Sequence, residues 1–350
     1  MASTGIASLD TRPWLREVCV WALLFLISAG LGYPTLNRYD PRVAVPDAAI
    51  YARMTTNGPS AIDTHLRFRV LVPYLARGVF VLARSHTGSW DPLMFSFLAV
   101  NAFFVATTAY LLFRIGRDIV PEISLALLAA SLYLLNFAIA NVHLAALADA
   151  AEACLLMAIV ASMFYKRWFL LPLWGVIGTL AKESFIPFSL AMASAWWIAS
   201  AEKRSRRPGV WIAITVATEI ATFVVVHSMV AGHAGSLWSF AVSMNSPTGY
   251  LANLWHSLID RNSWYILIWL LPLGLARWRR IPREWTAAAS TGVAIAILLN
   301  AYHSTVGGGG GGLGRYIFNI AGPLLNLSAA TFLVGWYSEQ VTTEGSAGGK

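Results

Sequence analysis

Apolar residues run in long uninterrupted blocks along this chain, and the polar positions between the blocks are short and clustered. Blocks such as 93–113 and 316–338 carry no charge and match the length, about 20 residues, that a helix needs to cross a hydrocarbon layer. The blocks do not alternate in polarity at every second position as membrane-barrel strands do, so helices are the expected element. The expected spans are 14–33, 93–113, 123–141, 150–165, 168–181, 184–201, 209–230, 262–276, 285–304 and 316–338, about ten crossings by this length rule. The expected fold class is therefore all-α, a polytopic integral membrane helix bundle. No repeat of fixed period is present.

Composition agrees with this pattern. Of the 350 residues, 57% are hydrophobic and 12% are charged, whereas soluble domains carry about 25% charged residues. The net charge of +8 invites a nucleic-acid reading, but the basic residues sit in short clusters beside apolar blocks, the footprint of membrane orientation. Those clusters are Arg12 and Arg16; Arg114 and Arg117; Lys166 and Arg167; Lys203, Arg204, Arg206 and Arg207; and Arg277, Arg279, Arg280 and Arg283. With the spans above they all fall on one side, which the positive-inside rule makes cytoplasmic. Cys19 and Cys154 both lie inside apolar blocks without metal-ligand spacing, so neither a disulfide framework nor a metal site is expected. The N-terminal block reads either as a cleaved signal peptide or as an uncleaved first span, and the second fits the loop that follows.

The same bookkeeping decides residues 68–83, which are apolar but contain Arg69, Pro73 and Arg77. A crossing there would invert every later loop, so the segment is expected to be an interfacial or re-entrant helix on the outer face. Residues 168–201 are expected to form a hairpin of two short helices with Lys182 and Glu183 at its outer turn. The histidines His65, His86, His143, His227, His233, His256 and His303 fall at or near the outer side, and the outer loops are the longer ones. The expected organisation is a module over 1–200 with outer loop 34–92, further membrane helices over 201–338, and a flexible cytoplasmic tail over 339–350. Both termini are then cytoplasmic in a plasma (inner) membrane, and the chemistry lies outside. Most of the fifteen tryptophans lie near span ends, where an aromatic belt accounts for them.

The polar residues on the outer side are the candidates for that chemistry. Outer loop 1 holds Asp40, Asp47, Asp63, Arg38, Arg42, Arg53, Arg67 and Arg69, against the tendency of external loops to lack arginine. The stretch from Asp47 through Tyr51 reads as a short helix with Asp47 at its N-cap. Its carboxylate either only caps free N–H groups or acts as a general base facing a membrane-surface cavity. Asp149, opening the fourth span, is open to the N-cap reading as well. Lys182 and Glu183, adjacent opposite charges between two apolar helices, are either a structural pair facing headgroups or part of a site. Glu219 interrupts the seventh span near its middle, either coupled to protons or neutral and hydrogen-bonded. After His303, the run Gly307 to Gly312 makes a mobile loop or, through its amides, a phosphate cradle. Arg315 then stands at the membrane edge as headgroup anchor or ligand clamp.

The order of these features resembles the GT-C class of membrane glycosyltransferases, the group that includes protein O-mannosyltransferases and the lipid A aminoarabinose transferases. In that class a first span leads to an outer loop with an acidic residue followed by Tyr-Ala in a helix lying on the membrane, and Asp47, Tyr51 and Ala52 are similar. A second interfacial helix resembles 67–84 with Pro73. The acidic residue between the third and fourth spans matches Asp149, and a Leu-Thr-Lys-like turn followed by proline is similar to Thr179, Leu180, Lys182 and Pro187. The resemblance covers about residues 14–200. The chain departs from it in having Ala48 where an acidic pair is frequent, and no soluble C-terminal domain is expected.

What the resemblance implies is a donor sugar on a polyprenyl phosphate, reached laterally from the bilayer, and an acceptor glycan, lipid or protein. Asp47 is the implied general base, with Asp40 as runner-up. Arg67, Arg69, Lys182 and Arg315 are implied at the donor phosphate. Asp149 would orient the acceptor or a divalent cation, and Tyr51, Glu183, His303 and Glu219 complete the polar site. The reading from a different class is a non-enzymatic transporter or flippase of lipid-linked sugars with Glu219 as its proton-responsive residue, which alternating access would require near the midplane.

Overall fold

The computed structural model describes residues 13–120, 122–201, 205–232, 249–302 and 312–347. Among these residues every regular element is helical. The α-helices are α1 (Pro13–Gly32), α2 (Pro34–Asn37), α3 (Pro41–Ala44), α4 (Pro46–Asn57), α5 (Leu71–Ala83), α6 (Pro92–Ile119), α7 (Ile123–Leu135) and α8 (Asp149–Phe164). They continue as α9 (Leu171–Ala181), α10 (Phe185–Ala199), α11 (Arg206–Ala231), α12 (Tyr250–Ile259), α13 (Arg261–Leu267), α14 (Leu270–Ala276), α15 (Arg283–Tyr302) and α16 (Gly312–Ala347).

Among the described residues, five helices are long and apolar enough to cross a membrane: Trp14–Asn37, Pro92–Ile119, Arg206–Ala231, Arg283–Tyr302 and Gly312–Gly335. Leu71–Ala83, Ile123–Leu135, Trp168–Ala181 and Phe185–Ala199 are shorter apolar helices. Large apolar side chains such as Leu23, Leu26, Leu82, Leu135, Ile198, Met229 and Leu298 face outward. Water would penalise that surface, whereas lipid does not, and the chain is a membrane helix bundle on this physical ground.

Two elements differ from the expected spans, each for a local reason. The span expected over 262–276 is instead the seven-residue pair α13 and α14. Pro272 breaks it, because its ring lacks the N–H that would bond to Ile268 and collides with that carbonyl. The span expected over 123–141 stops at Leu135, followed by a π-helical turn over Ile139–His143. Asn136 ends it: its side-chain oxygen accepts from Ala138 N at 2.9 Å, and its Nδ2 donates to Ile266 O at 3.0 Å. Such local bonding competes with the helical ladder. At the other end of the chain, α16 continues to Ala347, past the boundary at 338 where a tail is expected.

The bundle is organised around α8, whose residues Asp149 through Met163 are all buried. Helices α6, α9, α10 and α16 pack around it, while α1 lies outside against α6. Residues beyond 200 are interlocked with those before it, since α9 packs on α11, α10 on α15, and α7 and α8 on α16. The hairpin expected over 168–201 is present as α9 and α10. Its close approach needs glycine at 178, where a Cβ would lie 2.3 Å from the Phe185 ring. Residues 68–83 form a turn and α5, which buries Val72, Pro73 and Ala76 and leaves Tyr74, Leu75, Val81 and Leu82 exposed.

Candidate functional site

The polar residues of the bundle converge where α4, the segment before α5, the start of α8, the α9–α10 turn and the start of α16 meet. Helices α6 and α8 both begin at this end and run to the opposite one, which holds Arg114, Arg117, Lys166 and Arg167. The start of α8 is delivered by a strained loop: Ala146 has φ of +59°, a left-handed conformation that a Cβ disfavours.

Lys182 is the centre of the cluster and is fully buried. Its Nζ donates to Asp149 Oδ1 at 2.9 Å and to Glu152 Oε2 at 3.0 Å. Asp149 and Glu152 stand three residues apart and therefore share one face of α8. Glu152 also accepts from Asn319 Nδ2 at 2.9 Å and from the Ser184 hydroxyl. Asn319 Oδ1 lies 2.9 Å from His143 Nε2. Arg315 approaches Asp149 Oδ2 at 3.5 Å, and its Nε is buried without a hydrogen-bond partner. The Tyr316 ring lies beneath both cations, its centroid 4.4 Å from Lys182 Nζ and 5.0 Å from Arg315 Cζ. Burial alone would lower the Lys182 pKa, but Asp149 and Glu152 more than offset it and hold the ammonium well above its ordinary value.

Glu183 does not pair with Lys182. Lys182 is extended, with φ of −166° and ψ of 137°, and successive side chains of an extended backbone point to opposite sides. Glu183 therefore turns to Arg69, which donates to both its oxygens, the Nε bonds measuring 3.1 and 2.8 Å. Arg69 Nη1 also donates to Tyr51 Oη at 3.2 Å. Burial pushes the Tyr51 phenol up to about 12, and Arg69 opposes that rise. Burial likewise favours a neutral Glu183, but the Arg69 guanidinium overrides it and holds the carboxyl down at about 2.

Glu183 is depressed from an ordinary 4.5, so its contribution to stability is complete above that value and disappears as pH falls toward about 2. Lys182 is raised from 10.5, so its contribution is complete below that value and is lost only as pH rises through its still higher folded pKa. The unfolding temperature in detergent should show no titration of either group between about pH 5 and pH 9, then drop in acid. Glu183→Gln should be less stable at neutral pH and lose less between 4.5 and about 2; parallel acid curves for variant and wild type would disprove the assignment.

Asp47 differs from the other acids. It is not the expected N-cap of α4, because Val45 caps the helix, Pro46 opens it and Asp47 follows in its first turn. Its half-buried carboxylate forms no hydrogen bond or ion pair among the described residues. Its charge nevertheless acts on Tyr51, one turn along, and on Arg315. Asp149 is not an N-cap either: Ala148 holds that position.

The remaining candidates lie apart from this cluster. Asp40 caps α3 and gives both oxygens to Arg42, which also pairs with Asp91 at 2.8 Å. Arg67 stacks on Phe68, 4.9 Å from its centroid. Glu219 is enclosed between α9, α10 and α11, accepting from Ser189 Oγ at 2.7 Å beside Gly175. His303 and Gly307 to Gly311 fall outside the described residues, as do His233, Arg12, Lys203 and Arg204. Glu152, Ser184, Asn319 and Tyr316 join the site without having been sequence candidates, and His143, singled out only for its place on the outer side, joins them. The signal for Glu152 is its three-residue spacing from Asp149 on an otherwise apolar helix. No group of His, Cys, Asp or Glu suited to hold a metal ion occurs among the described residues. Asp149, the candidate for a cation, is occupied by Lys182 and Arg315 instead.

Compared with known proteins, the chain matches no family model, and no curated protein matches it.

Proposed function

We propose that this protein is an outer-face membrane glycosyltransferase that moves a sugar from a polyprenyl-phosphate donor to an acceptor hydroxyl with inversion. The observation that carries this reading is the carboxylate of Asp47, which has no hydrogen-bond or ion-pair partner among the described residues, beside a buried ionic cluster that already contains Tyr51, Arg69, Asp149, Lys182, Glu183 and Arg315. A general base needs an acceptor site with room for substrate, and Asp47 is the acid of the group without a competing partner among the described residues.

In the proposed step the acceptor O–H gives its proton to Asp47 while its oxygen bonds to the anomeric carbon. The bond from that carbon to the phosphate oxygen breaks, and its electron pair leaves on the polyprenyl phosphate. Charge then grows on the phosphate, where a fixed cation is worth most. Arg315 suits that role through its spare Nε donor. Lys182 and Arg69 act differently from simple clamps: each cation is matched by carboxylates, so both serve to position Asp149 and Tyr51.

Ten crossings, built from the five long helices and the shorter apolar segments, leave both termini and every basic cluster in the cytoplasm and the ionic cluster outside. Helix α5 then lies on the outer face with its apolar side in lipid. Cysteine at Ser89 should react with an impermeant thiol reagent from outside, and cysteine at Ser205 should not; the reverse pattern would overturn the orientation. Purified protein in nanodiscs should release polyprenyl phosphate from a polyprenyl-phosphate sugar in the presence of an acceptor. Movement of intact donor between leaflets with no release would instead make it a flippase.

A further inference from the structure

A second site lies below the ionic cluster. Where α5, α6, α8 and α9 meet, an apolar groove of about 520 Å³ opens between the helices. Its long walls are two matching stripes, one on α6 from Phe103 to Arg114 and one on α8 from Cys154 to Tyr165. At 1.5 Å per residue each stripe extends about 16 Å. One leaflet of hydrocarbon is about 15 Å deep, half of the usual core. The two helices run in the same direction, so the stripes share their ends.

Those ends differ in chemistry. The end nearer the ionic cluster is closed by Leu71, two residues beyond Arg69. The far end holds Arg114 and Arg167. Arg114 Nε is buried without a hydrogen-bond partner, and Arg167 is exposed at the rim. The acids of this region are shared: Glu17 accepts from Arg117 and Tyr110 while its charge and the Tyr110 hydroxyl also act on Arg114, and Asp118 accepts from the Tyr165 hydroxyl at 2.8 Å. The groove thus joins a chain-length apolar slot to surplus positive charge at one end.

We propose that this groove binds one anionic phospholipid of the leaflet on the basic side, with its phosphate between Arg114 and Arg167 and an acyl chain along the α6 and α8 stripes. A zwitterionic headgroup carries its own cation beside the phosphate and adds no net counter-charge to a rim where Glu17 is shared between Arg117 and Arg114, whereas an anionic phosphodiester accepts charge-assisted hydrogen bonds from both guanidiniums with no cation of its own. Small side chains at Ala158 and Ala161 supply the space for the chain. The site is separate from Asp47 and does not depend on the transfer reaction.

The test titrates delipidated protein in detergent with phosphatidylglycerol or phosphatidylcholine and counts bound lipid by native mass spectrometry. One phosphatidylglycerol per chain is expected, bound at least about tenfold more tightly than phosphatidylcholine. Arg114→Gln with Arg167→Gln should abolish the preference, and Ala158→Trp should block both lipids. If Ala158→Trp does not fold, the arginine pair carries the test alone. Equal affinity for the two lipids in wild type, or an unchanged preference in the arginine variant, would overturn the proposal. Complete displacement of phosphatidylglycerol by equimolar polyprenyl phosphate would also overturn it, by assigning the groove to an isoprenoid chain. Loss of sugar transfer with lipid binding intact would bear only on the proposed reaction.

Discussion

Asp47→Asn is expected to slow sugar transfer by about a hundredfold or more while leaving the protein folded. Asparagine preserves the size of the side chain and removes the group that takes the acceptor proton. The helix should tolerate the change, because Val45 rather than Asp47 is the N-cap of α4 and no hydrogen bond among the described residues depends on this carboxylate. The structural loss is confined to a favourable charge in the first helical turn, about 0.3–1 kcal/mol. Single-turnover transfer in nanodiscs, read beside the melting temperature, separates these effects. Full transfer by Asp47→Asn together with its loss in Asp40→Asn would move the base to Asp40. Unfolding of Asp47→Asn would show that the carboxylate is needed for structure.

Lys182→Ala is expected to have the largest effect on stability, about 3–5 kcal/mol, the range for breaking a buried ion pair by removing one partner. The substitution leaves Asp149 and Glu152 facing each other on α8, both buried, with the ammonium between them gone. Desolvated like charges are the source of the loss, so Glu152→Gln in the same chain should recover part of it. Lys182→Arg should recover less than a simple count of charges suggests, since a planar guanidinium does not fit a site built around a compact ammonium. Denaturation in mixed micelles measures the series. If Lys182→Ala is as stable as wild type and fails only in donor binding, Lys182 touches the phosphate directly and does not hold α8.

The two expectations rest on unequal amounts of sequence information. Asp47 stands out through the resemblance of its stretch with Tyr51 and Ala52 to the GT-C pattern, and the structure adds that no described residue hydrogen-bonds to it or forms an ion pair with it. The pairing of Lys182 and Glu183 with each other is the natural reading of adjacent opposite charges, and it is wrong here. An extended residue at the α9 C-terminus points them apart, and their partners lie elsewhere: Glu183 reaches Arg69 across 114 residues, and Lys182 reaches Asp149 across 33. Asn319 meets Glu152 from 167 residues away, a contact that no local pattern encodes. The breaks at Asn136 and Pro272 were legible in principle, since one side chain competes for backbone bonds and the other lacks an N–H. Both sit within blocks apolar enough to hide them.

By itself, the sequence determined that this is a helical membrane protein and approximately where most of its apolar helices lie. These properties follow from local quantities, the length of apolar blocks and the free energy of placing charge in hydrocarbon, which act on each segment separately. Only the tertiary structure decided which charges neutralise one another, that Glu152, Asn319 and His143 belong with Lys182, and that Asp47 stays apart from the paired acids. Those outcomes depend on which helices pack around α8. In the buried interior a cation and a carboxylate a few ångströms apart are bound strongly, whereas the same residues separated by one more helix scarcely interact.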